Sequence, residues 1–98
     1  MNEANRDQEL QKRIEDIVAA HDPIGLILMG APDDEYLFEA GLIIQALPRC
    51  EHVPDVTQAC LNLFTAMFAG VRVGVYADYL ALAADVWQAW CEHQGRQP

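Results

Sequence analysis

The sequence predicts an all-α protein, a compact bundle of four to five helices folded as a single domain over residues 1–98. Three observations lead to this fold class. Apolar residues recur three and four positions apart through several segments, which places them on one face of a helix. Proline and glycine lie mostly between these segments. With 98 residues, of which 52% are hydrophobic, the chain can bury one core of modest size.

The first helix should span residues 3–20, and its polar face carries both acids and bases. Its apolar stripe consists of Leu10, Ile14, Ile17 and Val18. Residues 1–8 contain almost nothing that could be buried, so we expect the first turns to project from the bundle or fray.

A short second helix is predicted directly after Asp22. Aspartate followed by proline is typical of a helix start, because the carboxylate caps the helix and Pro23 needs no N–H in the first turn. Gly30 suits the left-handed residue that ends a helix, so this one should cover residues 23–29. Its apolar residues point in all directions, which predicts that it is buried or covers another part of the protein. His21, at the junction, should form a local hydrogen bond.

The third helix should begin near Pro32 or Asp33 and continue to Leu47, where Pro48 ends it. Carboxylates are stabilising at the positive end of a helix, and three of them lie there: Asp33, Asp34 and Glu35. The apolar face consists of Tyr36, Leu37, Ala40, Ile43, Ile44 and Leu47. Gly41, inside this helix, predicts a close approach of another backbone.

Two further helices complete the bundle, over residues 56–69 after the cap Asp55 and over residues 75–93 before Gly95. The apolar face of the fourth helix consists of Val56, Cys60, Leu63, Phe64, Met67 and Phe68. That of the fifth consists of Tyr76, Leu80, Ala83, Trp87 and Trp90. Between them, the β-branched residues of segment 70–74 could form a short strand. Since a lone strand would have no partner, we favour a kink or turn there.

The charge of the chain narrows the class of partner. Fifteen acids against six bases give a formal net charge of −9. DNA, RNA and anionic membranes would be repelled, and no basic stripe reverses this locally. A basic protein partner fits the charge, because opposite fields speed encounter and set specificity. The alternative is that the acidity only keeps a small protein soluble.

The location of the protein is predicted to be cytoplasmic. No apolar run approaches the roughly 18–20 residues that cross a bilayer, so no membrane association is expected. The polar N-terminal residues of mixed charge are unlike a secretory signal. Three cysteines, an odd number, without an export signal indicate reduced thiols.

The tripeptide Cys-Glu-His occurs twice, at residues 50–52 and 91–93, and invites interpretation as a zinc site. However, residues two apart on a helix point about 200° apart, so Cys91 and His93 cannot easily share an ion. Neither tripeptide has the wider spacing that separates paired zinc ligands. We therefore predict no metal site and no cofactor.

Nucleophilic catalysis finds little support in the sequence. The chain contains no serine, and Thr57 and Thr65 lie on a helical pattern. Cys60 lies on an apolar face and should be an inert buried thiol. Cys50 and His52, in a predicted loop, form the one conceivable dyad. We predict that the protein is not an enzyme, with a small metal-dependent enzyme or sensor as the alternative.

Two groups of residues are candidates for a contact surface. The acids at positions 33–35 could bind a cation, but consecutive helix residues fan out and no calcium-loop pattern follows. Helix capping explains them, and a charged contact edge is the alternative. Tryptophan and tyrosine are enriched at interface anchors, so the aromatic residues of the last helix could be core or contact surface. Their helical spacing favours the core, with at least one of them reaching the surface: Tyr76, Tyr79, Trp87 and Trp90.

The connection between the first and third helices resembles a motif of small helical bacterial proteins of unknown function, Asp-Pro-aliphatic-Gly followed after a spacer by Pro-x-Asp-Glu-Tyr. The matching residues are Asp22, Pro23, Ile24 and Gly25, then Pro32, Asp33, Asp34, Glu35 and Tyr36. Some of these proteins are thought to be immunity partners of polymorphic or contact-dependent toxins. The resemblance therefore implies a helical fold and an immunity-type function. Two positions depart from it, since His21 and Leu37 stand where such proteins often carry Trp and a further acid.

Together these observations predict a small acidic protein-binding module, an inhibitor or immunity-type protein that neutralises a basic partner. Two alternatives stay open. One is a phage-type inhibitor that mimics nucleic-acid charge and blocks a nucleic-acid-binding defence complex. The other is a structural homodimer formed through exposed aromatic residues of the last helix. The predicted contact residues are Asp33, Asp34, Glu35, Tyr36, Glu39, Tyr79 and Trp90.

Overall fold

The computed structural model describes residues 3–32, 34–70 and 72–95, with side chains from residue 5 onward. Four α-helices form the described part of the chain: α1 (Glu3–His21), α2 (Leu37–Ala46), α3 (Val53–Met67) and α4 (Leu80–Gln94). Short 3₁₀ turns at Leu47–Arg49 and Tyr76–Tyr79 follow α2 and precede α4. No strand occurs in these ranges, so the all-α prediction is confirmed. No helix among the described residues is apolar over a length that could traverse a bilayer.

The helices form a closed ring around one core, because each helix packs against its chain neighbours and α4 returns to pack against α1. Most residues of the predicted apolar stripes lie in or against this core, but Leu37, Met67 and Leu80 are exposed. Its largest fully buried side chains are Tyr36, Tyr79, Phe64, Ile14, Ile43, Leu47 and Leu82. The Phe64 ring lies at the centre of an aromatic cluster, with Phe68 and Tyr79 stacked on it at 5.9 and 5.8 Å.

The short helix predicted after Asp22 does not form. Residues 23–30 instead make a series of turns, so that prediction is wrong. The physical reason lies in Asp22, which adopts a left-handed φ of 48° rather than the extended conformation of a helix cap. Gly25, with a φ of 81°, turns the chain again. Backbone bonds from Gly30 to the Ile27 carbonyl and from Ala31 to the Leu26 carbonyl, both 2.9 Å, close the segment.

Helix α2 begins at Leu37, later than predicted, because residues 34–36 form a turn that precedes it. The predicted glycine contact also differs. An added Cβ at Gly41 would meet the side-chain oxygen of Gln11 at 3.8 Å, which is ordinary contact with a side chain and not with another backbone. Pro48 lies in the 3₁₀ turn that ends the helix, as its ring geometry requires.

Helix α3 begins at Val53, earlier than predicted, with His52 as its cap and Pro54 in the first turn. Asp55 therefore lies inside the first turn and not at the cap. Its carboxylate accepts hydrogen bonds from the amides of Glu51 at 2.8 Å and His52 at 3.2 Å, so it still fixes the helix start.

The predicted fifth helix divides into the 3₁₀ turn and α4. Val71 lies outside the described residues, while residues 72–75 have irregular backbone. Asp78 accepts a hydrogen bond from the amide of Val75 at 2.7 Å, and the Tyr79 hydroxyl donates to the Val73 carbonyl. These two bonds fix the backbone that leads into the 3₁₀ turn, and regular α-helix begins after it, at Leu80. Gly95, with a φ of 74°, ends α4 as predicted.

Candidate interaction surface

The connection between α1 and α2 is organised around a hydrogen bond between Asp22 and Tyr36. The Tyr36 hydroxyl donates to Oδ1 of Asp22 at 2.6 Å. The same carboxylate accepts the amide of Ile27 on Oδ1 at 3.0 Å and the amide of Leu28 on Oδ2 at 2.9 Å. Both residues belong to the motif noted above, so the structure gives its first and last members a common role in shaping the loop.

Tyr36 continues this network on the other side of its hydroxyl. Its oxygen accepts hydrogen bonds from the amides of Ile24 at 3.2 Å and Leu26 at 3.4 Å. The ring is fully buried and meets Phe64 edge to face at 6.1 Å. Tyr36 therefore lies in the core with its polar end in the loop, and it is not exposed for the partner contact predicted from the sequence.

The ionisation of the two groups suits this arrangement. Burial alone would raise the pKa of Asp22, but hydrogen bonds from Tyr36 and from loop amides outweigh it and hold that pKa below its ordinary value. Burial and the adjacent Asp22 carboxylate raise the pKa of Tyr36 to about 12. At neutral pH the phenol therefore keeps the proton that it donates to the carboxylate.

The same loop exposes two large apolar side chains at its outer end. Leu28 is 89% exposed and Met29 is 74% exposed. The Met29 amide donates to the Gly25 carbonyl at 3.1 Å, and Gly30 follows with a φ of 101°. The backbone that carries these two exposed side chains is therefore fixed by hydrogen bonds.

The predicted acidic edge lies just before α2. Asp34 and Glu35 are exposed in the turn that precedes the helix, whereas Asp33 lies outside the described residues. Two exposed apolar residues follow directly, Leu37 and Phe38, at 52% and 61% exposure. The structure thus places carboxylates and uncovered apolar side chains side by side.

A shallow groove of about 260 Å³ lies beside these residues, between α1 and α2. It is lined by Gln11, Leu37, Phe38, Gly41, Leu42 and Gln45. The amide of Gln11 fixes one wall, because it donates to the Leu37 carbonyl and to Glu15, both at 3.1 Å. We call the exposed acidic and apolar residues of segment 28–38 the acidic–apolar surface: Leu28, Met29, Asp34, Glu35, Leu37 and Phe38.

Glu39 does not belong to the acidic–apolar surface, although it is one of the contact residues predicted from the sequence. It is only 5% exposed, and one carboxylate oxygen has no hydrogen-bond partner. Burial, together with the charge of Glu35, raises its pKa above the ordinary value. A buried carboxylate with an unpaired oxygen costs stability, so Glu39 is a destabilising feature of α2.

The two predicted aromatic contacts have different surroundings. Tyr79 is 1% exposed, stacks on Phe64 and is a core residue in this structure. Trp90 is half-buried, stacks on His93 at 5.9 Å and borders a groove that also includes Glu51. Self-association through aromatic residues stays a prediction, and the partly exposed ones among those named for the predicted fifth helix are Tyr76 and Trp90.

The candidate dyad of Cys50 and His52 is not assembled in this structure. The Cys50 thiol contacts the Ala46 carbonyl at 3.5 Å, and its pKa is raised by burial and by the charge of Asp55. His52 pairs with Asp55 at 3.1 Å instead. Cys60 is buried among apolar residues, and this burial raises its pKa to about 12. Both thiols are therefore held in the unreactive protonated form.

The histidines do not converge on a metal site. His21 pairs with Asp85 of α4 at 2.7 Å, so its partner is distant in sequence and not local as predicted. His93 lies 3.9 Å from Asp7 of α1. Among the residues that the structure describes, no three histidine, cysteine, aspartate or glutamate side chains are placed to hold one ion.

Sequence reasoning missed Leu28, Met29 and Phe38 as surface residues. The apolar character of all three indicated burial. Only Phe38 had a signal for exposure, because it lies off the predicted apolar face of the third helix. The Asp22–Tyr36 bond did have a signal, since both residues belong to the motif. No family model, curated protein or solved structure matches this chain.

Proposed function

We propose that this protein is a small acidic binding module, of the inhibitor or immunity type, that neutralises a basic protein by covering its functional surface. The observation that supports this most directly is the acidic–apolar surface. Asp34 and Glu35 lie in one exposed turn, and along the chain they stand between the exposed pair Leu28 and Met29 and the exposed pair that begins α2.

The two chemistries of this surface have separate tasks in such a complex. Apolar side chains removed from water supply most of the binding free energy, and a few large ones can dominate an interface. The carboxylates guide encounter with a cationic partner and reject anionic ones. The formal net charge of −9 extends this preference over the whole molecule.

A binding role also agrees with the chemistry of the polar side chains. The groups considered for catalysis are engaged in structural contacts, His52 with the start of α3 and Cys50 with the end of α2. The acidic–apolar surface combines exposed carboxylates with exposed apolar side chains. Such a surface suits recognition of another protein.

The test compares two double variants with the same change in charge. Asp34→Lys with Glu35→Lys reverses the acidic edge, and Glu9→Lys with Glu51→Lys reverses two exposed acids elsewhere. Tagged protein is expressed in its native host, the co-purifying protein is identified and purified, and binding is measured by calorimetry. We expect a basic partner and about tenfold weaker binding for the first double variant.

The control double variant should bind within about threefold of the wild type, because distant charges act only through a screened field. Circular dichroism must show unchanged helicity in both. An acidic partner, or equal losses in both variants, would contradict the proposal.

A phage-type inhibitor of a nucleic-acid-binding complex would use the same surface differently. A mimic of nucleic-acid charge would show a steep loss of affinity as salt increases, since many charge pairs would be screened. An immunity-type contact anchored by apolar side chains would show a shallow dependence. Titrations at low and high salt separate the two.

A further inference from the structure

The loop between α1 and α2 has an inner and an outer set of apolar residues. Ile24, Leu26 and Ile27 are partly buried and pack against the core. Leu28 and Met29 follow them directly in the sequence, and both side chains are largely exposed to solvent. The chain therefore anchors the loop from within and displays two adjacent large apolar side chains at its outer end.

We propose that Leu28 and Met29 are an apolar anchor that inserts into a pocket of the basic partner, and that the Asp22–Tyr36 hydrogen bond is the device that positions it. This inference rests on the proposed function and specifies how the partner is held. The pocket should be apolar inside and belong to a cationic protein, because the chain carries a formal net charge of −9 and Asp34 and Glu35 are exposed in the same connection between α1 and α2.

The hydrogen bonds of the loop support a preformed anchor. The Asp22 carboxylate holds the amides of Ile27 and Leu28, and the Tyr36 hydroxyl receives two further amides of the loop. Leu28, which carries the first anchor side chain, is thus bonded through its own amide to the Asp22 carboxylate. A loop that is already ordered pays less conformational entropy on binding, which increases affinity without a new contact.

The net charge of the chain indicates which kind of molecule binds at Leu28 and Met29. A second copy of the chain would bring a further formal charge of −9 against the first. An anionic membrane would meet the same repulsion. The negative field that repels a second copy and an anionic membrane attracts a cationic protein. A basic protein is therefore the partner that fits this surface.

The first experiment locates the contact. A photo-cross-linking amino acid is placed at position 28, or at position 75 as control, since Val75 is also exposed, at 65%. After irradiation in the native host, adducts are identified by mass spectrometry. We expect an adduct with a basic protein from position 28 and none from position 75. An adduct with a second copy or with lipid, or equal adducts from both positions, would overturn the proposal.

The second experiment measures affinity for the purified partner. Leu28→Asn and Met29→Asn should each weaken binding by about tenfold or more, as is typical of anchor residues. Val75→Asn is the matched control and should stay within about twofold. All three positions are exposed, so their substitution should leave the fold intact.

A third measurement tests the positioning role of Tyr36. Tyr36→Phe removes the hydroxyl but keeps the buried ring, and binding is measured where circular dichroism shows the variant fully folded. We expect weaker binding together with faster amide exchange confined to residues 24–28. Unchanged affinity despite a more mobile loop would show that the hydroxyl serves the fold alone.

The outcomes separate this inference from the proposed function. If Leu28→Asn and Met29→Asn bind normally while reversal of Asp34 and Glu35 weakens binding, the anchor is refuted and the acidic binding module stands. If reversal of the acids also has no effect on the purified partner, the proposed function fails as well.

Discussion

Removal of the Tyr36 hydroxyl is the perturbation that most directly tests how the α1–α2 connection is held. In Tyr36→Phe the buried ring keeps its edge-to-face contact with Phe64, so the core volume changes little. The lost group is the donor of a 2.6 Å hydrogen bond to the Asp22 carboxylate. It is also the acceptor for two loop amides, at 3.2 and 3.4 Å.

The size of the effect follows from the strongest of these bonds. A hydrogen bond to a charged group contributes about 1.5–3 kcal/mol, and the two part-buried bonds from the loop amides, at 3.2 and 3.4 Å, are weaker because neither partner is charged. We therefore expect the free energy of unfolding to fall by about 2 kcal/mol. For a domain of this size, that corresponds to a decrease of roughly 8–16 °C in Tm.

The assay is urea denaturation followed by circular dichroism, with thermal unfolding as a second measure. Tyr76→Phe is the matched control, because its hydroxyl makes one exposed contact of 3.5 Å with the Pro54 carbonyl. That control should lose less than about 0.5 kcal/mol, since a contact so long is a weak hydrogen bond. If the free energy of unfolding fell no further in Tyr36→Phe than in Tyr76→Phe, the inferred contribution of the Asp22–Tyr36 hydrogen bond would be refuted.

Three further predictions concern charge and backbone. Because the folded pKa of Asp22 lies below its unfolded value near 4, its contribution is present above that pH and disappears as pH falls through the folded pKa. Asp22→Asn should thus cost about 1 kcal/mol at pH 7 and progressively less below pH 4, by urea titration across pH. Glu39, whose pKa is raised, destabilises the fold above that pKa. Glu39→Met should accordingly increase stability at pH 7 by about 1 kcal/mol, with a gain that vanishes in acid, and a loss at pH 7 would contradict this. Gly74→Ala should cost about 2–3 kcal/mol, because its Cβ would meet Asp78 at 2.6 Å, whereas Gly25→Ala has open space and should cost about 1 kcal/mol; equal losses would speak against a steric cause.

The all-α class, the buried face of α1 and the end of α4 were readable from short-range patterns. The stripe of Leu10, Ile14 and Val18 predicted the buried face of α1, and all three are in the core. The end of α4 at Gly95 followed from the same kind of local rule. Such features depend on spacing and backbone preference within a few residues, which a single sequence displays directly.

The segment after Asp22 shows where local rules gave the wrong answer. Aspartate before proline was interpreted as a helix cap, yet Asp22 bonds to amides five and six residues later and to Tyr36. A competing partner that lies far along the chain can outweigh a local preference. The sequence contained both residues but not the fact that folding would bring them together.

Some of the predicted contact residues are exposed and others are buried, again because burial depends on parts of the chain that are far apart in the sequence. Asp34 and Glu35 are exposed, whereas Tyr36, Glu39 and Tyr79 are buried although they too are polar or amphipathic. Tyrosine can be buried when its hydroxyl finds a partner inside, as in Tyr36 and Tyr79, whereas Glu39 is buried with one carboxylate oxygen unpaired. Which of them faces water was decided by the neighbouring helices.

By itself, the sequence determined that this chain forms amphipathic helices with an acidic exterior, because periodicity and net charge are properties of the chain before it folds. Tertiary structure decided which apolar residues the core could not accommodate. Leu28, Met29 and Phe38 are as apolar as their buried neighbours, and they are exposed because the Asp22–Tyr36 hydrogen bond and the packing of α2 on α1 direct them outward. Exposure is a property of the assembled surface, and it is fixed only when distant parts of the chain meet.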